Sequence, residues 1–137
     1  MRRVILLLSI CAAVLRASEK PCPWMNAATA GGVLEGPVDF TMTKNGQEGT
    51  CEFTRRDSGA RLRIDVGSEL AKCAPPIEPL KAIGNEAMAC TVDKATAQVV
   101  GRVRKQTFLI RVTGGFAQDK LREKVINVAE QVAGNLF

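Results

Sequence analysis

Histidine and tyrosine are absent from the 137 residues, and tryptophan occurs once. The first absence removes the commonest general base and metal ligand, and the second removes the phenolic acid. No CxxC pair occurs, which argues against a four-cysteine zinc site. There is no phosphate-binding glycine loop and no nucleophile elbow. An unbroken apolar run of the ~20 residues that a membrane span requires is also lacking. These gaps leave an enzyme little to work with. Glu86 and Asp93 flank a predicted strand and are the one carboxylate pair to weigh, but acids near strand ends usually serve as solvated caps. No catalytic residue, metal or cofactor is expected.

What is present begins with an export signal. Arg2 and Arg3 precede an apolar run over residues 4–15, and Ala17 offers a small residue for cleavage, so residues 1–17 read as a secretory signal and 18–137 as one domain. Cys11 invites a lipoprotein reading, yet Ile10 stands where lipidation wants a small residue and the apolar stretch before it is short. Removing the signal takes three arginines and no acids. The formal charge of +5 then falls to about +2, so the basicity belongs largely to the signal and is weak support for a polyanion partner.

Cys22, Cys51, Cys73 and Cys90 remain after cleavage. An even number in an exported chain predicts two disulfides, in any of three connectivities. Joining Cys22 to Cys51 would tie the amino-terminal segment to a strand. Joining Cys73 to Cys90 would close a proline-rich loop. Each bridge would contribute ~3 kcal/mol through the denatured state, and this pairing is the favoured one.

The domain opens on Cys22-Pro23-Trp24, where the tryptophan reads as a core plug rather than a ligand platform. Asn26 can cap a short helix from Ala27 to Leu34, ended by Gly36 and Pro37, with Gly31 and Gly32 marking a close approach to another backbone. Alternation at Val38, Phe40 and Met42, at Cys51, Phe53 and Arg55, and at Leu62, Ile64 and Val66 predicts three strands. Asn45-Gly46 and Asp57-Ser58-Gly59 turn them into a meander. Residues 67–86 break the pattern: Ser68 can cap one or two helical turns through Cys73, after which Pro75, Pro76 and Pro79 forbid a regular helix or central strand. Three further strands follow around Met88 to Val92, Ala97 to Val103 and Phe108 to Val112. From residue 117 to 136, Leu121, Val125, Val128, Val132 and Leu136 form one apolar stripe on an amphipathic helix. The expectation is an α+β domain, with one antiparallel sheet of about six strands and both helices on its apolar face.

The run Pro21-Cys22-Pro23-Trp24-Met25-Asn26, continuing through Gly31-Gly32-Val33-Leu34 to Gly36-Pro37-Val38, resembles a group of small exported bacterial proteins without an assigned function. It is more distantly similar to a class of actinobacterial lipoproteins. The shared features are the early cysteine before a short helix, a second cysteine in a strand as at Cys51, the turn Gly84-Asn85-Glu86-Ala87 and the closing helix. The resemblance implies an envelope location and carries no catalytic residue with it. The lipid-attachment cysteine of the lipoproteins has no proper counterpart here.

Two surfaces then compete as functional candidates. Pro75, Pro76, Ile77, Glu78, Pro79 and Leu80 form a stiff, stapled segment that would bind a protein partner at low ordering cost, or simply cover one end of the core. By strand parity Arg56, Arg61, Arg63, Arg102, Arg104 and Arg111 point away from the apolar side, with Glu52 and Asp65 among them. That face would dock an anionic polymer or lipid, or else be a solvated face laced by charge pairs. Nucleic acid fits poorly, because no aromatic interleaves the arginines and the chain is exported. The expected function is therefore non-catalytic binding in the envelope or outside the cell: a protein partner at residues 73–87, or an anion on the arginine face, with a small-ligand carrier as a third class that would require a cavity between helix and sheet.

Overall fold

The computed structural model describes residues 20–67 and 69–137. The signal at residues 1–17, the Cys11 question and the Ser68 cap lie outside the described residues. Helix α1 covers Ala27–Leu34, and Asn26 caps it by accepting from the Thr29 amide at 2.7 Å. Its closing residue in the left-handed region is Glu35 (φ 65°), and the Gly36 amide donates back to the Gly31 carbonyl. The Gly31 carbon faces that turn: a Cβ there would sit 3.1 Å from the Gly36 carbonyl oxygen.

Seven strands follow, one more than the alternation predicts: β1 (Val38–Asn45), β2 (Glu48–Arg55), β3 (Arg61–Gly67), β4 (Ile77–Leu80), β5 (Glu86–Asp93), β6 (Thr96–Val103) and β7 (Gln106–Thr113). Helix α2 (Gln118–Leu136) closes the chain. All pairings are antiparallel, in the order β1-β2-β3-β7-β6-β5-β4. Two meanders, β1 to β3 and β4 to β7, are thus joined along β3 and β7.

Register sorts the side chains into two faces. The row Met42, Cys51, Ile64, Ile110, Val99, Ala89 runs along the inner face, and its neighbour Thr41, Glu52, Arg63, Arg111, Gln98, Cys90 along the outer one. Both helices cover the inner face, α1 over β1 to β3 and α2 over β6 and β7. Leu121, Val125, Val128 and Val132 of the predicted stripe are buried there, joined by Ala129 and Ala133. Trp24 is buried in the same core, as a plug. Among the described residues no helix is long and apolar enough to cross a membrane.

The disulfides join Cys22 to Cys51 and Cys73 to Cys90. The second settles the course of residues 69–76, which contain no helix, contrary to the expected turns before Cys73. The reason is distance. Going from β3 to β4 means passing β7, β6 and β5, four steps of ~4.8 Å or about 19 Å. Eight residues coiled as a helix rise only about 12 Å, whereas extended chain reaches at ~3.3 Å per residue. The segment runs as a strap over the outer face, where Thr107 Oγ1 donates to the Glu69 carbonyl at 2.8 Å and Cys73 is bonded to Cys90 of β5. Val100, Gln98 and Thr107 of the outer rows are buried although neither α1 nor α2 covers that face.

Candidate binding cleft and arginine face

Residues 77–80, expected in an irregular loop, form the edge strand β4, paired with β5 from Ile77 opposite Cys90 to Leu80 opposite Ala87. Proline is compatible with this because an edge strand bonds on one side only, so Pro79 can sit opposite Met88. Pro75 and Pro76 lie between the staple and the strand. Leu80 packs against the core, whereas Ile77 is 44% exposed. The rest of the expected loop is a turn plugged by buried Ile83, with Ala82 and Gly84 at positive φ. At Gly84 a Cβ would lie 2.5 Å from the Arg102 carbonyl oxygen, so the Gly84-Asn85-Glu86-Ala87 turn is a backbone contact with the end of β6.

Beyond Ile77 the edge of β5 has no strand beside it. There β4 ends, and a cleft of about 350 Å³ opens between the sheet and the first turns of α2. Ala89 and Ala97 floor it, Leu121 and Val125 wall it, and Pro76 and Ile77 lie at its rim. Two alanines facing a helix leave room that larger side chains would fill. Val92, at a bulge in β5 and 50% exposed, does not line this cleft but the separate hollow that holds Arg63 and Arg111. Ile77 and Val92 are two of the four exposed large apolar side chains among the described residues.

One ion pair spans the gap from strand to helix. Arg122 donates to both Glu78 carboxylate oxygens, from Nε at 2.9 Å and from a terminal nitrogen. The bidentate hydrogen bond lowers the Glu78 pKa below its ordinary value and raises that of Arg122. Counting Asp93 and Asp119, the cleft carries three carboxylates against one guanidinium.

The predicted arginine face divides in two. Arg61, Arg63 and Arg111 line one hollow of about 340 Å³ together with Glu52, Val92, Asp93, Thr96 and Thr113. Arg102 lies in the row of Thr107, on which the strap rests, and Arg104 occupies the β6–β7 turn at φ 57°. Arg56 pairs with Asp39 at 2.8 Å near the β1 edge. Glu86 and Asp93 do not meet. They stand at opposite ends of an eight-residue strand, roughly 23 Å apart at the usual rise, with Glu86 on Arg102 and Asp93 accepting from the Ala95 amide.

Three participants have no signal in the local sequence. Gln98, 3% exposed, sits in an ordinary outward position of β6 until the strap buries it. Its Oε1 accepts two bonds from Arg111, at 3.0 and 2.6 Å, and its Nε2 donates to the Lys72 carbonyl at 3.5 Å. Arg55 donates to the Leu34 carbonyl at the end of α1. Lys124 donates to the Val33 carbonyl at 2.6 Å and lies 4.6 Å from the centre of the Phe116 ring. No protein-family model matches the chain, and neither a curated protein nor a solved structure does.

Proposed function

We propose that the chain is an exported, non-catalytic binding module of the bacterial envelope or the extracellular space. On this reading it contacts a protein partner where β4 ends beside the cleft. The observation that carries it is the cleft itself: an apolar floor and helix wall with exposed Ile77 at the rim, on a frame stapled by Cys73 and Cys90. Ligand sites combine an apolar floor with polar groups that fix orientation, and here the alanine floor and helix wall are ringed by charged and polar side chains. A rigid edge also lowers the ordering cost of association.

The chemistry of the partner follows from the lining. With three carboxylates around one guanidinium, the cleft suits an extended segment that presents one apolar side chain next to lysine or arginine. Pro79 and the β5 bulge blunt the edge against indiscriminate strand pairing, so recognition falls to the side chain in the hollow.

The test places a photo-crosslinking amino acid at Thr91, an exposed residue of the cleft lining, and exposes the chain to native envelope extract. Excess wild-type chain should suppress the adduct, and a chain carrying Ile77→Asp and Ala97→Leu, shown to be folded by circular dichroism, should not. Equal suppression by both chains contradicts the reading.

A further inference from the structure

Beyond the protein-contact reading, and independent of it, the outer face carries a local arrangement that charge pairing within the chain does not explain. Arg63 and Arg111 stand directly opposite each other on β3 and β7. Like charges in that relation are unfavourable, because opposed side chains on one face of a sheet lie only about 5 Å apart at Cβ. Arg61 projects from the same face of β3 two residues away, into the same hollow. Three guanidinium groups therefore converge where a solvated face would place alternating signs.

The carboxylates nearby do not discharge all three. Arg63 pairs with Asp65 at 2.9 Å, and Arg61 approaches Glu52 at 3.7 Å. Among the described residues no carboxylate lies within ion-pair distance of Arg111, whose bonds go to the neutral Gln98 amide. An amide orients a guanidinium without neutralising it. Gln98 in turn is fixed by the strap through the Lys72 carbonyl and is almost wholly buried, so the Arg111 fork is held by a rigid second residue. Asp93, the remaining acid of the hollow, accepts from the Ala95 amide in its own turn. With Asp65 counted, three acids stand around the three arginines, but none of them pairs with Arg111, whose bonds end on a neutral amide.

We propose that Arg111, Arg63 and Arg61 form a binding site for a small oxyanion-bearing ligand, a carboxylate or a phosphate. The anion would sit against the terminal nitrogens of the opposed Arg63 and Arg111, whose Nε groups already donate to Asp65 and Gln98, so that each guanidinium offers its outer edge to oxygen. Thr96 and Thr113, hydrogen-bonded to each other at 3.2 Å, line the same hollow and suit hydroxyl groups next to the anion. A hollow of about 340 Å³ takes a small molecule, and the strap separates it from Arg102 and Arg104, so the site is local and does not belong to a polymer-binding stripe.

The experiment titrates the folded chain with inorganic phosphate and, separately, with glucuronate, following the arginine Nε–H cross-peaks by NMR at ionic strength matched with sodium chloride. A saturable shift at Arg111 and Arg63 with either probe supports the site. Phosphate alone assigns a phosphoryl ligand, glucuronate alone a carboxylate, and both assign the shared oxyanion chemistry. Arg111→Gln or Arg63→Gln should weaken binding about tenfold or more, the size of one lost charge-assisted hydrogen bond. Arg104→Gln should leave it unchanged.

A second readout does not depend on resolving the cross-peaks. Phosphate should raise the melting temperature of the wild-type chain more than chloride does at equal ionic strength, and Arg63→Gln should abolish the difference. Phosphate stabilises many proteins by exclusion from their surface, so only the part that vanishes in the variant counts. No saturable shift with either probe, equal weakening by Arg104→Gln, or a phosphate effect that survives in Arg63→Gln would overturn the proposal.

Discussion

At the scale of single residues, polar side chains in this domain act through partners far away in the chain. Glu78 finds Arg122 44 residues on, and the bond depresses the Glu78 pKa. The sign follows from linkage: a carboxylate with a lowered folded-state pKa contributes fully above its ordinary pKa, and that contribution is lost as pH falls through the folded value. Protection of the Ile77, Glu78 and Leu80 amides, taken relative to their intrinsic exchange rates at each pH, should therefore fall below the ordinary carboxylate range, and Glu78→Gln should remove that acid step. An acid step of equal size in Glu78→Gln would place its origin elsewhere. Gly101 illustrates a steric constraint instead. It faces Phe108 across the ladder, and a Cβ there would lie 2.3 Å from the ring. Gly101→Ala should cost about 1–3 kcal/mol, read as a lower urea midpoint at unchanged slope.

At the scale of elements, the pieces that could be read from sequence are those whose cause is local. The four-three-four spacing from Leu121 to Val132 forecasts the buried stripe of α2 because helical periodicity is a property of neighbouring residues. Asn26 and Leu34 bound α1 for the same reason. Strand β4 is different. Four residues with a proline among them carry no periodic signal, and only pairing with β5 makes them a strand. Lys124 reads as one more solvated charge on the polar side of its helix. In the folded chain its side chain is 16% exposed and holds the Val33 carbonyl 91 residues upstream, clasping the end of α1 to α2. Lys124→Met should keep the helix but lose that bond, at roughly 1–3 kcal/mol, with the midpoint of urea unfolding as the measure. An unchanged midpoint would mean that the clasp contributes nothing.

At the scale of the whole molecule, sequence reaches the fold class and the favoured cysteine pairing but misses the route of the chain. Three strands before and three after residues 67–86 are visible as alternation. That the second meander starts at the far edge, so that β7 returns beside β3, is set by contacts between segments tens of residues apart. The same route makes both candidate sites. By lying over β7, β6 and β5, the strap buries Gln98 beneath Arg111, divides the arginine face, and anchors the short β4 whose early end opens the cleft. Arg61, Arg63 and Arg111 are legible as outward residues by strand parity. The separation of Arg102 and Arg104 from them is not, because the strap comes from outside those strands.

That strap is the clamp of the β4 edge, and removing its bridge is the direct test. Replacing both Cys73 and Cys90 with alanine should cost ~3 kcal/mol by the loop-entropy relation. Amide hydrogen exchange of that variant, compared with the wild-type chain under conditions where both are folded, should show protection lost selectively. Residues 77–80 and 86–93 should exchange faster, while β1, β2 and β3 keep their protection. Uniform acceleration across the sheet, or unaltered protection in β4 and β5, would contradict the claim that the pinned crossing holds the edge and its cleft in place.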